Sequence, residues 1–491
     1  MTVSDLNYLM PLLILAGSSI VILLVIAFYR DHKVTFILSL LGLIASFISI
    51  IYVRGLPHEI GALVIVDSYA MFYWGLIMLA SLAVVALSYG YFSKMDEEKE
   101  EYYVLLLTAT LGSSVLVISR HFISFFMGLE ILSVSLYALV AYLPERKRSV
   151  EGGIKYLVLA AASSAFLLFG MALVYAESGT MDFTKLGAHI NSGAVNTPLL
   201  LAGFSFMVIG VGFKLALAPF HMWTPDVYEG APAPVTAFVA TVSKGGMFAL
   251  WFRFFVEVNG YRYHSLMVLF TVIAIASMFI GNFLALLQNN VKRILAYSSI
   301  AHLGYLLIAF LAGGQMGLEA GTFYLVAYFI TTLGTFGIVA VLSFTERDAD
   351  NMDDYRALYW RRPFIATVFT AMLMSLAGIP LTAGFLGKFY LAAAGVNTAL
   401  WLPVIILVIN SAISVYYYLK IVVVMYRAPE EDVVAGVPAV TISPALSVGG
   451  GLVLSVLTIM LIWFGTFPGG IIDFIKTMVS GISSVSVTMV P

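Results

Sequence analysis

The sequence predicts an all-α protein that crosses a lipid bilayer about fourteen times. Three observations predict it. Of 491 residues, 61% are hydrophobic and only 11% are charged, whereas a soluble domain carries about 25% charged residues. Apolar runs recur along the whole chain, each near the roughly 20 residues that a helix needs to cross a bilayer. The loops between those runs alternate between rich and poor in lysine and arginine, which is how a polytopic chain fixes its orientation.

The first run, 6–28, begins in "MTVSDLNYLMPLLILAG". It has no basic n-region and no small-residue cleavage site, so it reads as a span and not as a removable signal. Runs at 34–53 and 69–92 follow, with Asp67 read as lying near the outer surface and "KMDEEKEE" as a solvated loop. The fourth and fifth runs, 102–119 and 121–142, are parted only by the polar turn at Arg120. Next come 153–176, 197–217 and 234–257, then 264–287, 294–313 and 320–344. The twelfth run, 363–393, is too long for a straight helix rising 1.5 Å per residue through a core about 30 Å thick, which predicts a break or a strong tilt. Runs at 400–426 and 446–466 complete the set.

With the N-terminus outside, the inner loops hold fifteen Lys and Arg, Arg146, Lys292 and Arg293 among them, and the outer loops hold six, Arg253 included. The positive-inside rule therefore places both termini on the outer side. The longest polar stretch, "TERDADNMDDYRALYWRR" at 345–362, is an inner connection too short to bury a core. No GxxxxGK[ST] loop and no GxGxxG turn after a strand is present, so nothing points to nucleotide hydrolysis within the chain. The net charge of −2 offers no basic face to nucleic acid. The absence of cysteine excludes a disulfide, a thiolate-ligated iron–sulfur cluster and a thiolate nucleophile.

Charges inside apolar runs carry the functional signal, because a charged side chain at the bilayer centre costs roughly 2.5–3.5 kcal/mol on insertion scales. Glu130 lies in "SFFMGLEILSVSLYALVAY", Lys214 in "VGFKLALAPFHMW", and Lys244 and Lys388 in two further helices. One acid and three bases on separate helices predict a proton relay. Burial disfavours a lysine's charge and a nearby carboxylate favours it, so moving the two apart or together unloads or loads a proton. At an effective dielectric of about 20, unit charges 4 Å apart interact by roughly 4 kcal/mol, enough for that switch. The alternative is that each charge only makes a structural hydrogen bond.

Helix breakers flank two of the lysines. Gly210, Gly212 and Pro219 surround Lys214, and Gly378, Pro380, Gly384 and Gly387 precede Lys388. Unwound backbone is tolerated in a membrane only inside protein or beside water. The two lysines stand 174 residues apart with five spans between their helices, an odd number, so a second copy of the unit would be inverted. The plain alternative is a pair of kinked helices. In "NNVKRILAYSSIAHLGYLL", Ser298, Ser299, His302 and Tyr305 share a helical face, and a histidine there can pass protons or be a satisfied structural side chain. Lys292, near the inner end of that helix, reads as a proton uptake point or a lipid anchor. His221, Asp226 and Glu229 match no metal-ligand spacing, and their segment reads as a loop at the membrane surface with Trp223 as an interfacial anchor.

These segments also carry a resemblance. "LEILSVSLYALVAY", "EGGIKYLVLAAASSAFLLFGMALVY", "GFKLALAPFHMWTPDVYEGAPAPVTAFVATVSK" and "VKRILAYSSIAHLGYLL" resemble the antiporter-like membrane subunits of respiratory complex I, over roughly 100–425. Within that group the chain is most similar to the N type of NADH–quinone oxidoreductase subunit. Its length and segment 152–176 fit that type. It lacks the long C-terminal extension of the L type, and the M type has glutamate at the position matching Lys388.

The resemblance implies two inverted five-helix repeats, helices 4–8 and 9–13, with helices 7 and 12 broken. It divides the chain into an N-terminal three-helix segment 1–100, repeats at 101–260 and 261–430, and a C-terminal helix and tail at 431–491. It implies a proton relay of Glu130, Lys214, Lys244 and Lys388, with His302 and Lys292 as lesser candidates. It implies no metal and no cofactor in this chain, with FMN, iron–sulfur clusters and quinone in partner subunits. Partners would be the M, K, A and J types of membrane-arm subunit and, indirectly, the peripheral-arm redox subunits. The chain would then be part of an enzyme, a proton-translocating NADH:quinone oxidoreductase of an energy-transducing membrane such as the bacterial inner membrane. A multi-subunit Na⁺/H⁺ antiporter, a membrane-bound hydrogenase or a ferredoxin-driven photosynthetic complex could use the same module. From a different class stands a structural scaffold whose charges only join helices.

Overall fold

Within a bilayer every backbone N–H and C=O must find its partner inside its own segment, and for a single span only a helix provides that. The computed structural model describes residues 3–53, 57–95, 98–193, 196–429 and 447–483. Among these, thirteen helices are long and apolar enough to cross a membrane. A fourteenth crossing is made in two pieces, Pro363–Ala377 and Ala383–Asn397, at the run whose length predicts a break. Several starts are capped by side chains: Asp31 accepts from the Val34 N–H at 2.8 Å and Asn290 from the Arg293 N–H at 3.0 Å. Pro198, Pro234 and Pro363 stand in first turns, where a missing N–H leaves no bond unmade.

Three helices form the middle of the molecule. Ala233–Glu257, Val291–Ala312 and Gly314–Leu342 are buried by protein almost throughout, while Met10–Phe28 and Val448–Thr466 lie at the rim. Rim residues such as Leu23, Leu24, Leu452 and Ile459 point outward, as lipid permits. Lipid tails are as apolar as leucine, so association of helices depends on close packing. A Cβ on Gly112 would stand 2.4 Å from the Leu132 nitrogen, so Glu100–Ile118 and Phe122–Val140 cross backbone to backbone. Gly281 does the same against the Ala301 nitrogen at 2.6 Å, joining His264–Leu286 to Val291–Ala312.

The structure departs from the sequence reading at the edges of elements. The sixth helix runs Lys147–Ser178 and the eleventh begins at Gly314, both longer than their apolar runs. Two short helices, Phe183–Ser192 and Gly469–Ser483, occupy stretches read as loop and tail. Their apolar residues lie on one face only: Phe183, Leu186 and Ile190 in one, Ile475, Val479 and Ile482 in the other, all buried. A two-stranded hairpin, His58–Ile60 with Val64–Val66, closes the connection before the third span. Part of "KMDEEKEE", Asp96 and Glu97, lies outside the described residues. The remainder is only partly a solvated loop: Glu100 is buried and Lys99 donates to the Met95 carbonyl at 2.5 Å.

Candidate functional site

Lys214 stands in the last turn of Thr197–Leu215. The helix stops there because Ala216 takes a left-handed φ of 58°, and the Leu217 N–H turns back to the Gly212 carbonyl at 2.8 Å. The helix Pro363–Ala377 ends the same way: Gly378 has a φ of 88° and the Ile379 N–H returns to the Met374 carbonyl at 3.0 Å. Both breaks close in the manner the glycines and prolines of the sequence announce. The lysines are nonetheless placed differently. Lys214 precedes its break, whereas Lys388 follows in Ala383–Asn397 and reaches back across it.

Lys388 is buried, and its Nζ donates to the Leu376 and Ala377 carbonyls, each at 2.9 Å, and to Ser411 Oγ at 2.8 Å. It thus sits on the unsatisfied C-terminal carbonyls of the first half-helix, where the helix dipole favours a cation. Lys214 is also buried; its Nζ donates to the Tyr156 hydroxyl at 3.2 Å and lies 5.1 Å from that ring's centre. Lys244 begins a regular helix directly after a π-helical turn, Val239–Ser243, a distortion frequent at functional sites. Its Nζ donates to Ser299 Oγ at 2.6 Å and lies 5.4 Å from the Tyr228 ring centre.

The polar stripe on Val291–Ala312 links Lys244 to Lys388. Ser299 is hydrogen-bonded to the Tyr328 hydroxyl at 2.6 Å, and the Tyr328 ring lies 5.7 Å from that of His302. His302 is hydrogen-bonded to Tyr324 at 2.7 Å and to Tyr418 at 3.2 Å, and Tyr418 in turn to Ser298. The Tyr305 ring stands 5.4 Å from His302 and 5.2 Å from Lys388 Nζ. Ser298, Ser299, His302 and Tyr305 are all drawn into this line. Tyr156, Tyr228, Tyr324, Tyr328, Tyr418 and Ser411 complete it, and sequence reasoning missed them. Their only signal is a hydroxyl inside an apolar run, which tyrosine and serine supply throughout this chain.

Glu130 accepts from Ser164 Oγ at 2.9 Å. Among the described residues no ion pair joins it to Lys214, whose Nζ donates to Tyr156 instead. Between Lys214 and Lys244 stand rings: Tyr156 to Trp223 at 4.7 Å and Trp223 to Tyr228 at 6.3 Å between centres.

Three expectations are corrected. Lys292 faces no lipid: it is fully buried, its Nζ 2.7 Å from Asp348, and it donates to the Glu229 and Ala231 carbonyls at 3.0 and 2.6 Å. Asp348 also meets Arg146 at 2.9 Å and Tyr91; burial raises its carboxyl, but Lys292 and Arg146 together hold it below the ordinary value. The segment read as a membrane-surface loop is a buried helix, Trp223–Gly230. Trp223 is 2% exposed and donates to the Phe213 carbonyl at 2.9 Å, so it is no interfacial anchor. Asp226 and Glu229 form ion pairs with Arg293 at 2.9 and 2.8 Å. Lastly, Arg253, counted with the outer loops, is buried within its helix and paired through both carboxylate oxygens of Asp67 at 2.7 and 2.9 Å. Hydropathy counting sees each charge alone, and a buried partner is invisible to it.

The chain as a whole is similar to known proteins. The family described as "NADH:quinone oxidoreductase/Mrp antiporter, TM" matches residues 119–414. A chain of respiratory complex I from Thermus thermophilus with bound aureothin is 31% identical, with a TM-score of 0.80 over 94% of this chain and 98% of that one. Two more distant structures share the fold. A chain of the membrane-bound sulfane sulfur reductase, an archaeal respiratory membrane complex, is 24% identical with a TM-score of 0.80, covering 98% of each chain. A chain of the Mrp complex from Dietzia sp. DQ12-45-1b is 19% identical with a TM-score of 0.82, again covering 98% of each. On the strength of the family match and of the complex I relative, this chain is a multi-pass membrane protein belonging to the NADH:quinone oxidoreductase/Mrp antiporter family of transmembrane subunits.

Proposed function

We propose that the chain is a proton-translocating membrane-arm subunit of an NADH:quinone oxidoreductase, of the N type, in an energy-transducing bacterial inner membrane. The observation that carries this is the line of buried polar groups Lys244, Ser299, Tyr328, His302, Tyr305 and Lys388, in contact or one ring apart. Lys214 and Glu130 form the loading pair. When the Glu130 carboxylate approaches Lys214, the ammonium is favoured; when it withdraws, the proton moves on. Lys244 takes it up and hands it to the hydroxyl and imidazole groups on Val291–Ala312, and Lys388 is the terminal base. Redox chemistry on FMN, iron–sulfur clusters and quinone belongs to partner subunits, and neighbouring membrane-arm subunits pass the conformational or electrostatic change to this chain.

The experiment is direct. The chain is tagged, native membranes are extracted in mild detergent, and complexes are separated on a native gel stained for NADH oxidation. Co-migration with a large NADH-oxidising band is the expected result. A smaller, redox-silent assembly would overturn it in favour of a multi-subunit cation/proton antiporter, the reading that the likeness to the Mrp complex keeps alive.

A further inference from the structure

Lys214 and Lys244 share no hydroxyl partner among the described residues, so something else must tell Lys244 what Lys214 is doing. One short element touches both. At the start of Trp223–Gly230, Trp223 holds the Phe213 carbonyl, one residue before Lys214, at 2.9 Å and packs on Tyr156, the partner of Lys214. Near its end, Tyr228 lies beneath Lys244 and its hydroxyl stands 3.5 Å from Ser299 Oγ. On its other side the element is bound by charge to the helix that carries the relay. Arg293 Nη1 meets Asp226 at 2.9 Å and Glu229 at 2.8 Å at once. Arg293 lies in the first turn of Val291–Ala312, six residues before Ser299.

We propose that Trp223–Gly230 is a lever coupling the Lys214 turn to the Lys244–Ser299 contact, and that Arg293 is the positioning residue that fastens it to the relay helix. This rests on the proton-relay reading above. A shift of the lever by a fraction of a turn moves Trp223 and Tyr228 together, so the hydrogen bonds of both lysines change in one step. The fastening is electrostatic and needs a point charge, because a single nitrogen of Arg293 serves both carboxylates. Removing it strands no acid: Lys155 still meets Asp226 at 2.7 Å and Arg148 still meets Glu229 at 2.9 Å. The lever then stays with the helix Lys147–Ser178 and loses its charged fastening to Val291–Ala312, keeping there the bond from Lys292 to the Glu229 carbonyl at 3.0 Å.

The test uses sealed native-membrane vesicles, with protons moved per NADH oxidised for the unaltered chain, Lys214→Ala, Arg293→Ala, Arg293→Lys and Asp226→Asn. Hydrogen–deuterium exchange of the segment 221–230 is measured on the purified complex. Expected are a loss of at least about fivefold in pumping for Arg293→Ala, recovery to within about twofold in Arg293→Lys, and faster exchange in the segment for Arg293→Ala alone. Asp226→Asn, which leaves Glu229 to hold Arg293, gives an intermediate loss and covers the case in which Arg293→Ala fails to assemble. Normal pumping in Arg293→Ala and Asp226→Asn beside a dead Lys214→Ala overturns the lever and spares the relay. Equal losses in Arg293→Ala and Arg293→Lys overturn the electrostatic fastening. Normal pumping in Lys214→Ala removes the relay itself, and the lever with it.

Discussion

Lys388 donates to three acceptors at once, two of them the terminal carbonyls of a broken helix. An ammonium so held can lose its proton and leave those carbonyls to water or to Ser411, whereas a guanidinium stays charged. Lys388→Arg should therefore assemble and pump poorly, a result read as protons per NADH in sealed vesicles. Lys214→Ala and Glu130→Ala should each lower pumping by of order a hundredfold, the typical worth of a positioned acid or base, with the complex intact on a native gel. Both assembling and pumping fully would end the relay reading. The four main charged positions were legible because a charge in an apolar run stands out. Their hydroxyl neighbours were not: Tyr328 and Tyr418 differ in nothing local from the chain's other tyrosines, and only tertiary packing brings them to His302.

Helix crossings set the distances on which those residues depend. Gly112 and Gly281 allow backbones to meet at two matching hairpins, Glu100–Ile118 with Phe122–Val140 and His264–Leu286 with Val291–Ala312. A valine at either position must push the pair apart, at a cost of about 1–3 kcal/mol for overpacking. Gly112→Val and Gly281→Val should lower the melting temperature in detergent, with Gly281→Val also displacing the helix that bears His302. Unchanged melting in both would show that the crossings give way freely. At this scale hydropathy located the long spans well and missed the two amphipathic helices, whose apolar residues are diluted by the polar face. It also took Trp223–Gly230 for a surface loop, since His221, Thr224, Asp226, Glu229 and two prolines in a dozen positions look solvated until Arg293 and Lys155 are seen beside them.

Across the whole molecule, the ends of several helices on one side are tied by one ion cluster centred on buried Asp348, with Lys292, Arg146 and Tyr91 around it. Asp348→Asn leaves Lys292 and Arg146 buried without their counter-charge and should destabilise the protein by about 3–5 kcal/mol. The pH dependence has a definite sign. The carboxyl is held below its ordinary value of about 4, so its contribution is complete above that pH and fades as pH falls through the lowered value. The gap in melting temperature between the native chain and Asp348→Asn should stay constant from about pH 8 to pH 5 and close only below about pH 4. A gap that closes near neutrality would contradict this. Finally, the rings of Tyr156, Trp223 and Tyr228 stand where a proton would have to pass from Lys214 to Lys244. A ring face carries no proton, so within this stack only the Tyr156 and Tyr228 hydroxyls, at its two ends, can take one. A membrane stores about 2.3 kcal/mol per elementary charge for every 100 mV across it, and an idle pump with a closed wire through it would drain that store. In the relay proposed above, the aromatic interruption would be the insulation that lets the protein wait under voltage.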